Sequence, residues 1–145
     1  MIFIGEGRVN EQPTLAAMHT LFHRLHNHFV DQLFRVNPHL NAESLFQHAR
    51  RLVRAVTQSI TYNEWGKVVL GETVFKAFQL GPDQGEYDPN IATNLDNEFA
   101  AFGYRLGHTY IAGDLPYSKI DFSRTELIQL RDVRPGIAHR TFVYM

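Results

Sequence analysis

The feature that most constrains the fold is a run of apolar residues at steps of three and four near the N-terminus. Because an α-helix has about 3.6 residues per turn, this spacing places the whole run on one helical face. The pattern predicts an amphipathic first helix over residues 10–35. Asn10 or Thr14 can cap it, Pro13 suits its first turn, and Asn37-Pro38 ends it. The apolar residues are Leu15, Met18, Phe22, Leu25, Phe29 and Leu33.

A second helix is predicted to begin after Asn41, whose side chain can cap it, with Glu43 in the first turn. It runs to about Trp65 and ends at Gly66. The apolar segment that follows, residues 68–78, fits either a helix or a strand. The expected core face of the second helix consists of Leu45, Phe46, Ala49, Leu52, Val53, Val56 and Ile60.

The rest of the chain is predicted to combine a loop with shorter helices. Residues 81–90 (GPDQGEYDPN) are rich in proline, glycine and acids, a composition typical of loops. Residues 94–111 predict a third helix, and residues 123–133 predict a short fourth one before a break at Pro135-Gly136. No segment shows convincing alternation, so the expected fold class is mainly α. The apolar spacing of the third helix rests on Phe99, Phe102, Leu106 and Tyr110.

Composition excludes several classes of function. Fourteen basic and fifteen acidic residues leave a formal net charge of −1, which provides no electrostatic basis for binding nucleic acid. Since the sequence has no cysteine, thiolate metal sites, cysteine nucleophiles and disulfides are ruled out. We expect no signal peptide and no membrane segment, because no apolar run reaches the required length.

Four of the eight histidines lie between positions 19 and 28. On a helix, His19, His23 and His26 fall on one side and could share a metal ion, whereas His28 points away. The spacing differs from H-E-x-x-H, and no carboxylate stands among the three to act as a base. Histidines that flank a core face are therefore the preferred interpretation, and a small metal-binding helical protein is an alternative.

Three separated segments carry a pattern more specific than helix periodicity. They are GEGRVNEQPTLAAMHTLFHRLHNHF (5–29), NPHLNAESLFQHARRLVRAVTQSITYNEW (37–65) and EFAAFGYRLGHTYI (98–111). In order and spacing they resemble the animal haem peroxidase superfamily of myeloperoxidase, peroxidasin and peroxinectin. The corresponding family motifs include G-D-x-R-x-N-E-x-P, N-P-x-W-x-x-E-x-L-Y-Q-E-A-R and A-x-R-x-G-H-T. The resemblance implies a mainly α, partial haem peroxidase-like domain with long irregular loops over residues 1–145.

The resemblance implies roles for three residues. Gly107-His108-Thr109 matches the proximal-histidine motif, so His108 is expected to be the axial ligand of haem iron. Arg8 matches the distal arginine, a permanent cation that stabilises charge on the departing oxygen of peroxide. Glu11 matches the acid that is ester-linked to a haem methyl group, and on a helical turn it would share a face with Arg8. Glu6 stands where the family usually has aspartate.

The function implied by the resemblance is a haem-dependent peroxidase. Its cofactor is expected to be haem b, and an ester link between the haem and Glu11 is left open. Its partners are expected to be hydrogen peroxide and an unidentified electron donor. Full-length members also bind calcium, and most of that loop has no counterpart here. The distal histidine of the family motif has none either. We therefore expect a fragment of an extracellular enzyme, with little activity alone. The alternative is a non-catalytic α-helical remnant or interaction module.

Overall fold

A computed structural model describes residues 6–9, 11, 13–81, 88–119, 121–123 and 125–132. The chain divides into two compact units. One consists of residues 1–20 together with 91–145, and the other of residues 21–90. Most of the described residues are helical, so the mainly α prediction is confirmed.

The first helix, α1, spans Pro13–Val36 and confirms the predicted amphipathic helix. It begins three residues later than predicted, with Pro13 as its first residue, where the missing N–H costs nothing. Of the two candidate caps, Asn10 lies outside the described residues, and the prediction for Thr14 is wrong, because Thr14 is the second residue of the helix. The predicted end is confirmed, because Asn37 closes the last turn by donating its N–H to the Leu33 carbonyl at 2.8 Å. Ala16 is fully buried, whereas Met18 on the predicted face is half exposed.

The second helix, α2, spans Ala42–Ser59 and begins as predicted. The Asn41 side chain accepts a hydrogen bond from the Ser44 N–H at 2.8 Å, and Asn41 itself has extended backbone angles. Leu45 and Ala49 are buried, but Phe46 on the same face is 45% exposed. Within the unit of residues 21–90, the His26 ring of α1 packs on Phe46 at 5.2 Å between ring centroids.

The prediction that Gly66 ends the second helix is wrong. The chain instead passes through a π-helix at Ile60–Trp65 directly into α3, which spans Gly66–Ala77. The Gly66 N–H bonds to the Thr61 carbonyl, five residues back, so hydrogen bonding continues without a cap. The ambiguous segment 68–78 is therefore helical, with one break at Gly71, which has φ 75°.

Gly66 also permits a close contact within this helical segment. It is buried, and a Cβ atom at this position would lie 2.9 Å from the Phe75 ring and 2.8 Å from the Thr61 carbonyl oxygen. Phe75 is itself buried, and its ring packs against the backbone of Gly66.

The predicted third helix is only partly present. The helix α4 covers Asn97–Ala101, and a 3₁₀-helix follows at Gly103–Tyr110. Phe102, with φ −128°, interrupts the α-helical path between them. The prediction that the apolar residues of this segment form a core face is wrong. Phe102 is 85% exposed, and Phe99, Leu106 and Tyr110 are also exposed.

A two-stranded antiparallel sheet replaces the predicted helix at residues 123–133. Strand β1 spans Asp114–Ser118 and strand β2 spans Thr125–Gln129, paired from Asp114 opposite Gln129 to Ser118 opposite Thr125. The expectation of no strand is thus wrong. The cause lies outside the segment itself, since pairing with β1 supplies hydrogen bonds that local propensity does not reveal. A 3₁₀ turn, Leu130–Asp132, follows β2.

Two of the predicted irregular segments lie largely outside the described residues. They are most of the loop at 81–90 and the break at Pro135-Gly136. At the loop's described end, the Asp88 carboxylate accepts a hydrogen bond from the Asn90 N–H at 2.8 Å, a turn consistent with the prediction. Among the described residues, no helix combines the length and apolar character needed to cross a membrane.

The packing at Gly66 predicts an inverted response to alanine. In a helix, Gly→Ala normally stabilises by up to about 1 kcal/mol. At Gly66 we expect Gly66→Ala to destabilise by about 1–2 kcal/mol, because the new Cβ meets the backbone oxygen of Thr61 and the Phe75 ring. Urea unfolding followed by far-UV circular dichroism measures the effect. Gly107→Ala is the control, since nothing lies within 4 Å of a Cβ there. A Gly66→Ala variant as stable as the parent would contradict the proposed packing.

Candidate functional site

A turn before α1 holds Arg8 in a fixed relation to Glu6. The Glu6 carboxylate accepts three hydrogen bonds, from the Arg8 Nε at 2.9 Å, the Arg8 Nη2 at 3.1 Å and the Arg8 backbone N–H at 3.0 Å. The turn is closed by a further bond of 3.3 Å from the Val9 N–H to the Glu6 carbonyl. Val9 is buried, so an apolar side chain anchors the turn while the Arg8 side chain remains 78% exposed.

These contacts perturb both charged groups. The side-chain hydrogen bond from Arg8 lowers the pKa of Glu6 from 4.5 to about 2, and the backbone bond from Arg8 and the charge of His19 act in the same direction. In return, the hydrogen bond to Glu6 raises the pKa of Arg8, with additional attraction from Glu11 and Tyr104. The pair is therefore ionised across the physiological range.

Glu11 lies next to Arg8, but not on a helical turn as predicted. Both residues precede α1, and the Glu11 N–H donates a 2.9 Å hydrogen bond to the Arg8 carbonyl. The Glu11 side chain is exposed. The structure thus brings the predicted cation and the predicted carboxylate together through a turn rather than through helical periodicity.

His108 lies in the 3₁₀-helix Gly103–Tyr110, in the same unit as Arg8 and Glu11. The side chain is exposed, and within the part of the chain that the structure describes its ring makes no hydrogen bond or ion pair. The hydroxyl of Thr109 donates a hydrogen bond of 2.7 Å to the Leu106 carbonyl and not to the His108 imidazole. Gly107 leaves open space beside the backbone.

The predicted residues are only partly assembled. Arg8 and Glu11 are adjacent, whereas no hydrogen bond or ion pair among the described residues joins either of them to His108. Tyr104, which contributes to the raised pKa of Arg8, lies four residues before His108 in the 3₁₀-helix. The Arg105 guanidinium lies over the Tyr104 ring, 5.3 Å from the ring centroid, in a cation–π contact.

The histidine cluster on α1 shows structural contacts. The two ring nitrogens of His26 lie 3.3 Å from the Asn27 side-chain oxygen and 3.3 Å from the Phe46 carbonyl. Throughout the described ranges, no group of three histidine, aspartate or glutamate residues could hold a metal ion. His19, His23 and His26 therefore do not form the three-ligand site that was considered as an alternative.

The donor set fits haem better than an isolated ion. An unshared imidazole can ligate iron from one side, whereas a bare divalent cation needs several protein ligands that are absent around His108 in the described residues. Arg8 supplies a permanent cation, and Glu11 supplies an exposed carboxylate in the adjacent turn.

Comparison with known proteins gives the family. The model of the animal haem peroxidase family matches residues 1–135. The probable oxidoreductase PXDNL of Homo sapiens is 36% identical over 146 residues, which cover 90% of this chain and 10% of that protein. The peroxidasin homolog of Mus musculus is 40% identical over 107 residues, which cover 74% of this chain and 7% of that protein.

A solved structure agrees with the sequence relatives. Peroxidase A from Dictyostelium discoideum (DdPoxA) matches with a TM-score of 0.78 and 28% identity, over 97% of this chain and 26% of that chain. The chain thus belongs to the animal haem peroxidase family. It spans about a tenth or less of the length of the two curated relatives above.

Sequence reasoning missed two residues that influence the pKa of Arg8, namely Glu6 and Tyr104. Glu6 was noted only as a departure from the family pattern, yet it makes every side-chain hydrogen bond of Arg8 among the described residues. An acid two positions before an arginine in a glycine-containing turn was the available signal. Tyr104 had no signal beyond its closeness to the Gly107-His108-Thr109 motif.

The Glu6–Arg8 pair predicts a specific titration. We expect the Glu6 carboxyl to titrate near the pKa of about 2, and Arg8→Gln to return it toward 4.5. Because the folded pKa is lowered, the pair stabilises the turn above the ordinary pKa, and this contribution is lost as the pH falls from 4.5 through about 2. The ¹³C shift of the Glu6 carboxyl, followed against pH, measures this. Lys76→Gln, which breaks the separate pair with Glu72, is the control and should leave Glu6 unchanged. Titration of Glu6 near 4.5 in the parent chain would show that the pair does not form.

Proposed function

We propose that this chain is part of a haem peroxidase that reduces hydrogen peroxide and oxidises an electron donor. The observation that carries the proposal is the family match over residues 1–135, which includes Arg8, Glu11 and His108. When bound, haem b supplies the redox chemistry, which no side chain of the protein can provide.

His108 is proposed to hold the iron. Its imidazole is exposed and makes no hydrogen bond within the described residues, so one ring nitrogen is available as a ligand at no cost in lost contacts. The imidazole would hold the iron as its protein ligand, and the haem so held would supply the reduction of peroxide.

Arg8 is proposed to assist cleavage of the O–O bond. Its guanidinium remains charged at every physiological pH, because the hydrogen bond to Glu6 raises a pKa that is already high. Directed N–H donors stabilise negative charge on the departing oxygen as that charge develops. Glu11, whose backbone N–H donates to the Arg8 carbonyl, is proposed to hold the macrocycle through an ester to a haem methyl group. Forming this C–O bond would break one C–H bond of the methyl group and one carboxyl O–H bond, and hydrogen peroxide would accept the two electrons and be reduced to water.

The proposal extends to location and to the activity of this chain by itself. We propose an extracellular setting on the ground of the family alone. We also propose that the 145 residues without further protein have little turnover. His108 is exposed, and contact with water weakens both the binding of haem and the electrostatic stabilisation of charge that develops on peroxide.

Haem titration tests the role of His108. We expect a saturable shift of the Soret band at one haem per chain, and His108→Ala should remove it, because the imidazole proposed to hold the iron is lost. His28→Ala is the matched control, since His28 is an exposed histidine on α1. Weak binding that is equal in the parent and both variants would contradict the proposal and favour a non-catalytic remnant.

The reaction with peroxide tests the role of Arg8. In the haem-loaded chain, we expect Arg8→Lys to lower the second-order rate constant for peroxide by about 10²–10³, the usual effect of removing one oriented donor. Lysine retains the charge but lacks the planar fork of N–H groups. Stopped-flow absorption at the Soret band measures the rate, and unchanged haem affinity shows that the variant still binds the cofactor. Equal rates in the parent and Arg8→Lys would rule out Arg8 as the donor.

A further inference from the structure

We propose that Glu6 is a positioning residue, which sets the direction of the Arg8 guanidinium and determines which of its N–H groups can reach peroxide. The inference rests on the proposed role of Arg8 in O–O cleavage. Glu6 itself is not proposed to contact peroxide or haem.

The geometry of the pair carries this inference. A guanidinium has five N–H groups in one plane. The Nε–H and one N–H of Nη2 point to the two carboxylate oxygens of Glu6, at 2.9 and 3.1 Å. This parallel pairing is the bidentate arrangement that fixes an arginine in orientation as well as in place. The remaining donors, on Nη1 and the outer side of Nη2, form the opposite edge.

The carboxylate is in turn fixed to the backbone. One Glu6 oxygen accepts both the Arg8 Nε–H and the Arg8 backbone N–H, the latter at 3.0 Å. The main chain of the turn and the end of the side chain therefore share one acceptor. Buried Val9 and the 3.3 Å bond from its N–H to the Glu6 carbonyl hold the turn itself. The long, flexible side chain of Arg8 is thereby held against the backbone of the turn.

The exposure of the two partners fits this division of labour. Glu6 is the less exposed partner, at 38%, whereas the Arg8 side chain is 78% exposed. The edge of the guanidinium that faces Glu6 is occupied, so the exposed edge is the one left for a ligand. Glu11 and Tyr104 contribute to the raised pKa of Arg8, and His19 contributes to the lowered pKa of Glu6, but no hydrogen bond among the described residues links their side chains to the pair.

The test compares Glu6→Gln and Glu6→Asp with the parent chain. Glutamine is nearly the same size but lacks the charge and one acceptor oxygen, whereas aspartate keeps the carboxylate. Glu72→Gln is the matched control, because Glu72 is another exposed glutamate paired with a cation, Lys76, at 2.8 Å. Arg8→Lys is included so that the role of Arg8 is measured in the same series.

The first readout needs no haem. The Arg8 Nε–H signal in ¹H–¹⁵N NMR spectra reports on the bond to Glu6. We expect Glu6→Gln to move the signal toward that of a solvent-exposed arginine and to speed its exchange with water by about tenfold or more, as expected for a lost charge-assisted bond. Glu6→Asp should retain most of the protection, and Glu72→Gln all of it. An unchanged Nε–H signal in Glu6→Gln would overturn the inference.

The second readout is the peroxide rate of the haem-loaded chain. We expect Glu6→Gln to lower it by about 10- to 100-fold at unchanged haem affinity, since a misplaced donor loses most of its effect. Glu6→Asp should recover much of the rate. A lowered rate in Arg8→Lys with a parental rate in Glu6→Gln would overturn the positioning role alone. A parental rate in Arg8→Lys would overturn the proposed function of Arg8, and with it any catalytic role for Glu6.

Discussion

The described part of the chain depends more on backbone hydrogen bonding than on burial of apolar side chains. Only Val9, Ala16, Leu45, Ala49 and Phe75 are buried hydrophobic residues among those described. Helical hydrogen bonds, the Asn41 cap and the unbroken passage through the π-helix therefore determine most of the local geometry. Many large apolar side chains remain exposed, and such surfaces favour association with further protein.

Two kinds of organisation meet in the residues proposed for the site. Arg8 is held by a carboxylate, a turn and a buried valine, so its donors are directed before any ligand arrives. His108 is exposed on a 3₁₀-helix and makes no comparable contact within the described residues. In the proposed roles this difference is significant, because oriented donors act on developing charge, whereas a histidine that ligates a metal is usually oriented by a hydrogen bond on its other ring nitrogen.

The helices that could be predicted from sequence are those with strong local signals. Apolar spacing and Asn37-Pro38 located α1, and Asn41 located the start of α2. The extension past Gly66 could not be foreseen, since it depends on a hydrogen bond to Thr61 and on the Phe75 ring. The strand β2 depends on a partner strand, which no property of residues 123–133 reveals.

For the site, motif resemblance selected Arg8, Glu11 and His108, and their assigned roles stay predictions. The two side-chain hydrogen bonds between Glu6 and Arg8 could not be predicted from the residues alone, because they depend on side-chain conformations that the folded turn selects. The distinction is general. Motifs identify which chemical groups are present, but the direction of a donor follows from local geometry.

The π-helix at Ile60–Trp65 has a consequence for how the helical segment can vary. A π-turn accommodates one residue more than an α-turn, so side chains beyond it are rotated by about 100° relative to an uninterrupted α-helix. Removal of a single residue from this stretch would restore a regular helix without breaking the chain. The face bearing Phe75 would keep its present direction, because the deletion removes the one extra residue that the π-turn accommodates. Straightening the segment without removing a residue would instead turn that face by about 100°.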